Sequence, residues 1–414
     1  MTSIRPTRAT RFSLMNGSVW SEIIGSEAYM KRIWIILTAL LQAPLAALCA
    51  GDSPRHIELG PPETVLADKA LGLRYFPDGR LAVVKMKPDC RVIVSAGVSS
   101  FLLEGQEMGQ FTKATKVLAK GKPGEFDNGY AGINAAVQTK TGELLAFYHA
   151  EDQEGMKTVG NGIPGFYCHV AMAVSKDGGL NFEKRGPILS GQLPKDPGGH
   201  GDQGVGEPWV FAEPKGEFLY AYYTSHERVD GRGVQICMAR CLTADVLQPG
   251  AWRKFYAGSF TEAGVGGKDT PVVTSGQQNA DALFPQVTYI PALQQFVMMF
   301  CLNVWREGDK PKRSGIYAVF SDDGIHWPRE RMQQLWNVPV IAANGREVAW
   351  HPTFILDGEG GAHGWLYYGY SESWGYDPPR KPHYLMRRRV AIAVANSDTW
   401  MSNLTNHKPV ERTP

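Results

Sequence analysis

The stretch LFPQVTYIPALQQFVMMFCLNVW (283–305), followed by GIYAVFSDDGIHWPRE (315–330), decides the fold. It reads as an apolar strand, a turn at a proline, an aromatic strand, a polar loop and a third strand that ends in a tight turn. Val, Ile, Phe and Tyr favour extended backbone, whereas Pro, Asp and Gly interrupt it. The stretch therefore predicts consecutive antiparallel hairpins.

The same succession recurs along the chain. Other copies begin at AGINAAVQ (131–138), GEPWVFAE (206–213) and WHPTFILD (350–357), so the starts lie about 65 to 77 residues apart. Residues 70–125, with RLAVVKM, RVIVSAG and SSFLLEG, supply a more divergent copy. A multi-strand unit at such a period is typical of a β-propeller. The sequence predicts an all-β protein: a five-bladed β-propeller with four-stranded antiparallel blades around a central channel.

Two of the predicted hairpin turns share a pattern of side chains. They are SKDGGLNF (175–182) and SDDGIHW (321–327), each with Ser, Asp, Gly and an aromatic residue in the same order. Asp and Ser bond the backbone of such a turn, Gly takes a positive φ, and the aromatic ring packs below. We expect these residues to stabilise the fold and to carry no chemistry.

The N-terminus predicts export. Two basic residues after Met30 precede IWIILTALLQAPLAALCA (33–50), the pattern of a secretory signal peptide, and Met30 is an alternative start. Gln42 and Pro44 interrupt the apolar run and disfavour a membrane anchor. The predicted organisation is a leader and signal peptide (1–50), a linker (51–69), the propeller (70–400) and a C-terminal tail (401–414). We expect a monomer in the periplasm or outside the cell.

The composition excludes some partners and bounds the cysteine chemistry. The chain has 414 residues and a net charge of +2, which disfavours nucleic acid as a partner. Five cysteines remain beyond the signal peptide, and the spacing of Cys237 and Cys241 matches no zinc motif. Buried free thiols are the favoured interpretation, and a disulfide is the alternative.

Acidic residues precede the first strand of several repeats. Asp127, Asp202, Asp281 and Glu347 each lie in the loop that leads into such a strand, and these loops open on one face of a propeller. Carboxylates that converge on one cavity repel each other, so one has a raised pKa while another stays ionised. That division suits a general acid and a general base. The alternative is that single Asp residues only satisfy turn backbone.

The repeats also align at one inner position. Alignment on Pro208, Pro285 and Pro352 places Glu207 and His351 together with Asn134 and Phe284. Glu207 stands out because Glu is a poor turn residue. The predicted catalytic residues are Asp127, Asp202, Glu207 and Asp281. The predicted substrate-binding residues are Asn128, His149, Glu151, His226, Arg228, Trp305, Arg306, Glu347, His351 and Trp374.

The repeats resemble the five-bladed propeller glycosidases of glycoside hydrolase family 43 and its relatives. The resemblance lies in YHAED, GEPWVF, YAYYTS, SDDGIHW and GWLYYGYS and covers about residues 70–398. It implies that Glu207 is the acid, Asp127 the base, Asp202 or Asp281 the third acid, and His351 the axial histidine near an ion or water. Two features depart from the family: Asn128 follows Asp127 where the family has Pro, and Glu207 comes one blade after Asp127 instead of two.

The sequence thus predicts an exported glycoside hydrolase that acts with inversion on an oligosaccharide or polysaccharide. One alternative is a sialidase-type propeller, with Arg228, Arg306 and Arg346 in suitable loops but without that family's N-terminal arginine motif. Another is a carbohydrate-binding propeller without catalysis. The resemblance admits Ca²⁺ in the central channel, although no contiguous calcium-binding loop is present. No nucleic acid partner and, after signal cleavage, no membrane contact are expected.

Overall fold

The computed structural model describes residues 55–86, 88–159, 163–199, 201–229, 233–275, 280–304, 313–338, 347–358, 360–372 and 381–394. The predicted signal peptide and C-terminal tail lie outside these ranges. Within them, no helix has the length and hydropathy needed to cross a membrane.

Strands form most of the regular structure, and they group into antiparallel units that we number I to V. Strand β1 is Arg55–Leu66. Unit I contains β2 (Ala82–Lys85), β3 (Cys90–Ala96), β4 (Ser99–Gly105) and β5 (Phe111–Leu118). Unit II contains β6 (Tyr130–Gln138), β7 (Leu144–Asp152), β10 (Phe166–Ser175) and β11 (Glu183–Leu189), with the ribbon β8 (Thr158–Val159) and β9 (Ile163–Pro164) inserted.

The remaining units follow the same plan. Unit III contains β12 (Asp202–Ala212), β13 (Phe218–Ser225), β14 (Gln235–Leu242), β15 (Arg253–Tyr256) and β16 (Ser259–Ala263). Unit IV contains β17 (Ala280–Ile290), β18 (Gln295–Val304), β19 (Gly315–Ser321) and β20 (Gln333–Trp336). Unit V contains β21 (Val348–Leu356), β22 (His363–Ser371), β23 (Tyr384–Val394) and β1. Short 3₁₀ helices are Ala70–Gly72, Thr243–Asp245, Pro291–Leu293 and Arg329–Arg331.

Strand β1 forms the outer edge of unit V, where it pairs with β23. This corrects the prediction of a linker over residues 51–69. The sequence RHIELGPPETVL suggests a linker because it holds two prolines and little alternation, but an edge strand tolerates proline where its N–H side faces solvent. The all-β fold and the four-stranded antiparallel sheets are confirmed.

The first strand of each unit contacts the first strand of the next unit, and the last unit is bonded back to the first. Strand β6 lies against β2 and β12, β12 against β17, and β17 against β21. The Nε1 atom of Trp209 donates to the carbonyl of Val287, 2.7 Å away, and so joins β12 to β17. The backbone N–H of Leu81, beside β2, donates to Thr353 Oγ1 of β21 at 3.1 Å. This bond links the last unit to the first.

Four of these first strands carry a β-bulge at the aligned position. The pairing register skips Asn134 in β6 and an Xaa-Pro pair in β12, β17 and β21. The bulge is expected there because proline offers no N–H to the ladder. Glu207, Phe284 and His351 have positive φ angles of 53°, 57° and 54°. Non-glycine residues rarely adopt this left-handed conformation, and it persists only where surrounding contacts hold it.

The two predicted hairpin turns have the expected bonds. Ser175 Oγ accepts from the N–H of Gly179 at 2.8 Å, and Asp177 Oδ1 accepts from two further backbone donors. Bonds to Asn181 and Ser175 lower the pKa of Asp177 to about 2. Asp323 takes the same place in the second turn. The five described cysteines are buried, as favoured from sequence.

Candidate functional site

Glu207 is the centre of a cluster that we call the acidic site. Its backbone N–H donates to His149 Nδ1 at 3.2 Å, and His149 Nε2 lies 3.1 Å from Glu151 Oε1. Because Nδ1 accepts a bond, the ring proton is on Nε2 and points at Glu151. Glu207 Oε2 lies 3.8 Å from His226 Nε2 and has no hydrogen-bond partner in the described protein. Four residues predicted from sequence therefore meet here.

Asp78 also belongs to the acidic site, and sequence reasoning missed it. It lies in FPDGR (76–80), ahead of β2, and its backbone carbonyl accepts a bond from the Tyr130 hydroxyl. Asp78 is exposed to solvent, although many protein atoms surround its carboxyl group. Burial raises the pKa of Asp78 to about 7; the charge of Glu151 adds to the rise, and His149 opposes it.

Asp78 and Glu207 come from different parts of the chain. Asp78 precedes unit I and Glu207 lies in unit III, so the two acids are two units apart. In sequence, Asp78-Gly79 reads as an ordinary turn, and the first repeat was too divergent to align. Asp78 nevertheless lies just ahead of the first strand of a unit, the position at which Asp127, Asp202, Asp281 and Glu347 occur in the other repeats.

Asp202 borders the acidic site at the start of β12. Its side chain reaches solvent, yet the protein around the carboxyl desolvates it and raises its pKa, which the charge of His226 opposes and that of Glu151 reinforces. A cavity of about 210 Å³ opens beside it. Arg228 and His226 line this cavity together with Tyr167 and Leu193.

Gly206 and the ring of Phe166 lie next to Glu207 and its histidine neighbours. A Cβ atom on Gly206 would lie 2.2 Å from His149 Nδ1, so only glycine lets the bulge reach that histidine. The ring of Phe166 stands edge-on between His149 and His226, at centroid distances of 5.7 and 6.0 Å. Strands β10 and β12 pair in parallel there, with Phe166 opposite Asp202. This pairing connects units II and III at the site.

Arg80 lies beneath the bulge and is fully buried. Its Nη2 donates to the carbonyl oxygen of Glu207, and its backbone N–H donates to Asn134 Oδ1 at 2.9 Å. Burial lowers the pKa of Arg80 to about 10, while the charge of Glu207 opposes that change. Burial and the charge of Arg80 hold the pKa of His351 well below its ordinary value, so His351 is neutral at neutral pH.

The charges that act on His351 are those of Arg80 and His149. Ca²⁺ takes six to eight oxygen ligands. Among the described residues, no three His, Cys, Asp or Glu side chains are placed to hold a metal ion.

Other predicted residues lie in different contacts. Asp127 is fully buried and paired with Lys184 Nζ at 2.6 Å, and Asp281 accepts a bond from the N–H of Val234 at 2.9 Å. Asn128 bonds Asp152 at 2.7 Å within its own loop. Burial and the neighbouring Glu347 raise the pKa of Tyr370 to about 12. Trp305, Arg306 and Trp374 lie outside the described residues.

Comparison with known proteins gives distant structural likenesses. No protein-family model and no curated protein matches the chain. An α-L-arabinanase of Penicillium chrysogenum, in complex with arabinobiose, is 12% identical with a TM-score of 0.45, over 77% of this chain and 84% of that one. Zg3597 of Zobellia galactanivorans, a family 117 glycoside hydrolase, is 11% identical with a TM-score of 0.47, over 85% and 93%.

A third solved structure has a different activity. An N-acetylgalactosamine deacetylase of F. plautii, in complex with blood group B trisaccharide, is 11% identical with a TM-score of 0.47, over 81% of this chain and 95% of that one. At such scores the likenesses assign no activity to this chain.

Proposed function

We propose that the chain is an exported glycoside hydrolase that cleaves an oligosaccharide or polysaccharide with Asp78 and Glu207. The observation that carries the proposal is the meeting of Asp78, Glu151 and Glu207, which come from units I, II and III. Their mutual influence is seen in Asp78, whose pKa is raised to about 7 by burial and by the charges of Glu151 and Glu207. Unequal paired carboxyl groups are the chemistry that glycoside hydrolysis requires.

The surroundings of the two carboxyl groups suggest their roles. Asp78 keeps its proton up to about pH 7 and is the candidate acid that protonates the leaving oxygen. Glu207 lies beside the guanidinium of Arg80 and 3.8 Å from His226. Glu207 is then the base that takes a proton from the attacking water. The resemblance to family 43 implies the opposite role for Glu207.

The remaining groups of the site orient these two. His149 holds the bulge through the N–H of Glu207, and Glu151 holds His149 in the required tautomer. Phe166 offers a partly exposed ring beside both histidines, on which a sugar ring packs through its C–H face. The reaction is an inverting one: the C–O bond breaks toward the oxygen protonated by Asp78 while water attacks from the opposite face.

We also propose that the five units are the blades of a five-bladed β-propeller. The closed sequence of contacts among β2, β6, β12, β17 and β21 supports this architecture. The acidic site would then lie at the mouth of the central channel, where the loops ahead of the first strands open.

A screen of the purified chain against chromogenic glycosides and polysaccharides tests the function. We expect Asp78→Asn and Glu207→Gln each to lower kcat about 100-fold or more on a natural substrate, with Asp177→Asn, in a hairpin turn, as the control. Proton NMR of the product as it is first released should show the anomeric configuration opposite to that of the substrate. Binding of a glycan without turnover, unchanged in both variants, would favour the carbohydrate-binding alternative.

A change of leaving group separates the acid from the base. On a nitrophenyl glycoside, whose leaving group needs no proton, Asp78→Asn should recover most of its activity while Glu207→Gln does not. Azide should restore turnover to Glu207→Ala with formation of a glycosyl azide. The reverse pattern would exchange the two roles and leave the hydrolase proposal standing.

A further inference from the structure

We infer that Arg80 is a positioning residue of the acidic site, which holds the Glu207 bulge in place and supplies its fixed positive charge. This inference rests on the proposed function. The guanidinium is fully buried and bonds the carbonyl oxygen of Glu207 through Nη2. Its Nε and Nη1 atoms have no hydrogen-bond partner among the described residues.

A role confined to stability does not explain this arrangement. A buried cation with two unsatisfied donors is unfavourable, and an apolar side chain of similar volume is often equally or more stable. Another buried cation in the chain shows the contrast. Lys254 bonds the carbonyls of Ser190 and Gly267 at 2.7 and 2.8 Å and lies 3.5 Å from Asp269. The ammonium group of Lys254 therefore has several partners, whereas two nitrogen atoms of the Arg80 guanidinium have none among the described residues.

The contacts of Arg80 fix the backbone on one side of Glu207, and those of His149 fix the other. The N–H of Glu207 is bound by His149 and its C=O by Arg80, so both peptide groups flanking the left-handed residue are anchored. A φ of 53° is costly for glutamate and requires such anchors. The direction of the Glu207 side chain depends on them.

The charge of Arg80 acts on the groups that face the bulge. Glu207 and Cys301 favour the charged guanidinium, and the charge of Arg80 keeps His351 neutral. The other titratable groups of the cluster are Asp78, His149, Glu151, Asp202 and His226. Loss of Arg80 leaves an excess of carboxyl groups, so a base among them ionises only at higher pH.

The test compares Arg80→Met and Arg80→Lys with Lys254→Met as the control for loss of a buried cation elsewhere. For Arg80→Met we expect kcat to fall about 100-fold with KM within about threefold, since misplacement of a reacting group by about 1 Å has that effect. The acidic limb of kcat/KM should move upward by about one pH unit. In Arg80→Lys the acidic limb of the kcat/KM profile should return to its wild-type pH. Lys254→Met should be less stable than wild type, with the acidic limb unchanged.

A second measurement needs no substrate and therefore stands apart from the hydrolase proposal. In the unliganded protein, the pKa of His351, followed through its ring proton resonance, should rise in Arg80→Met and stay unchanged in Lys254→Met. If Arg80→Met folds, as judged by circular dichroism, and neither the pKa of His351 nor the acidic limb moves, the inference is overturned. A shifted His351 in a protein that hydrolyses no glycan would refute the hydrolase and leave the placement of Arg80 intact.

Discussion

Replacement of Asp78 by Asn is expected to stabilise the protein while it lowers kcat on a natural substrate. The carboxyl group has its pKa raised to about 7, so the folded state retains a proton that the unfolded state releases near pH 3.8. The free energy of unfolding must then fall as the pH rises from about 4 to about 7, because the unfolded state binds fewer protons there. Asparagine does not titrate and escapes this loss.

The size of the effect follows from the shift. A rise from 3.8 to about 7 corresponds to about 4 kcal/mol at 1.36 kcal/mol per pKa unit. Because the carboxyl touches solvent, water screens part of this cost, and we expect about 1 to 2 kcal/mol. The gain of Asp78→Asn should be near zero at pH 4 and complete at pH 8.

Urea unfolding of wild type and Asp78→Asn at pH 4 and pH 8, followed by tryptophan fluorescence, measures this difference. Asp177→Asn is the control whose difference from wild type should stay nearly constant between pH 4 and pH 8, since the pKa of Asp177 is lowered to about 2 and its stabilisation is lost only as the pH falls from about 4 toward 2. The reasoning is refuted if Asp78→Asn gives the same change in unfolding free energy at both pH values, or destabilises the protein only at pH 8.

Three further substitutions test the surroundings of the site. Gly206→Ala should lower kcat about 100-fold with the fold retained by circular dichroism, because its Cβ would lie 2.2 Å from His149 Nδ1; wild-type kinetics would show that the bulge does not depend on this approach. Asp127→Ala should cost about 2 kcal/mol in urea unfolding because it leaves Lys184 unpaired, whereas a loss of kcat at full stability would return Asp127 to the catalytic group. Asp177→Ala should cost about 1 kcal/mol through lost turn bonds, with kcat unchanged.

Much of the fold was predictable because the residue types that favour strands and turns recur at the spacing of the repeated units. The Xaa-Pro pairs mark a bulge in three first strands, since proline cannot join the ladder, and alignment on these prolines puts Glu207 and His351 at the same bulge. The turns at Asp177 and Asp323 were likewise readable from residue type. Such features depend on neighbours in sequence, which a single chain displays.

The parts that were missed depend on distant partners. Asp127 looked like a site acid, but Lys184, on β11, neutralises it inside the protein. Asp78 looked like a turn, but Glu151 and Glu207 from other units surround it. Strand β1 looked like a linker because its partner β23 lies at the other end of the described chain. No local pattern reports pairings of this kind.

The pairing of β1 with β23 also sets an order of events during folding. A chain is made from its N-terminus, so β1 exists long before Tyr384–Val394 emerges to receive it. Until then it is an unpaired strand, exposed to pairing with other chains. Pro61 and Pro62, within β1, each remove a backbone N–H donor and so disfavour pairing of β1 with strands of other chains. The pairing of β1 with β23 therefore closes a loop that spans nearly all of the described residues, and its entropic cost is met only when the chain is complete.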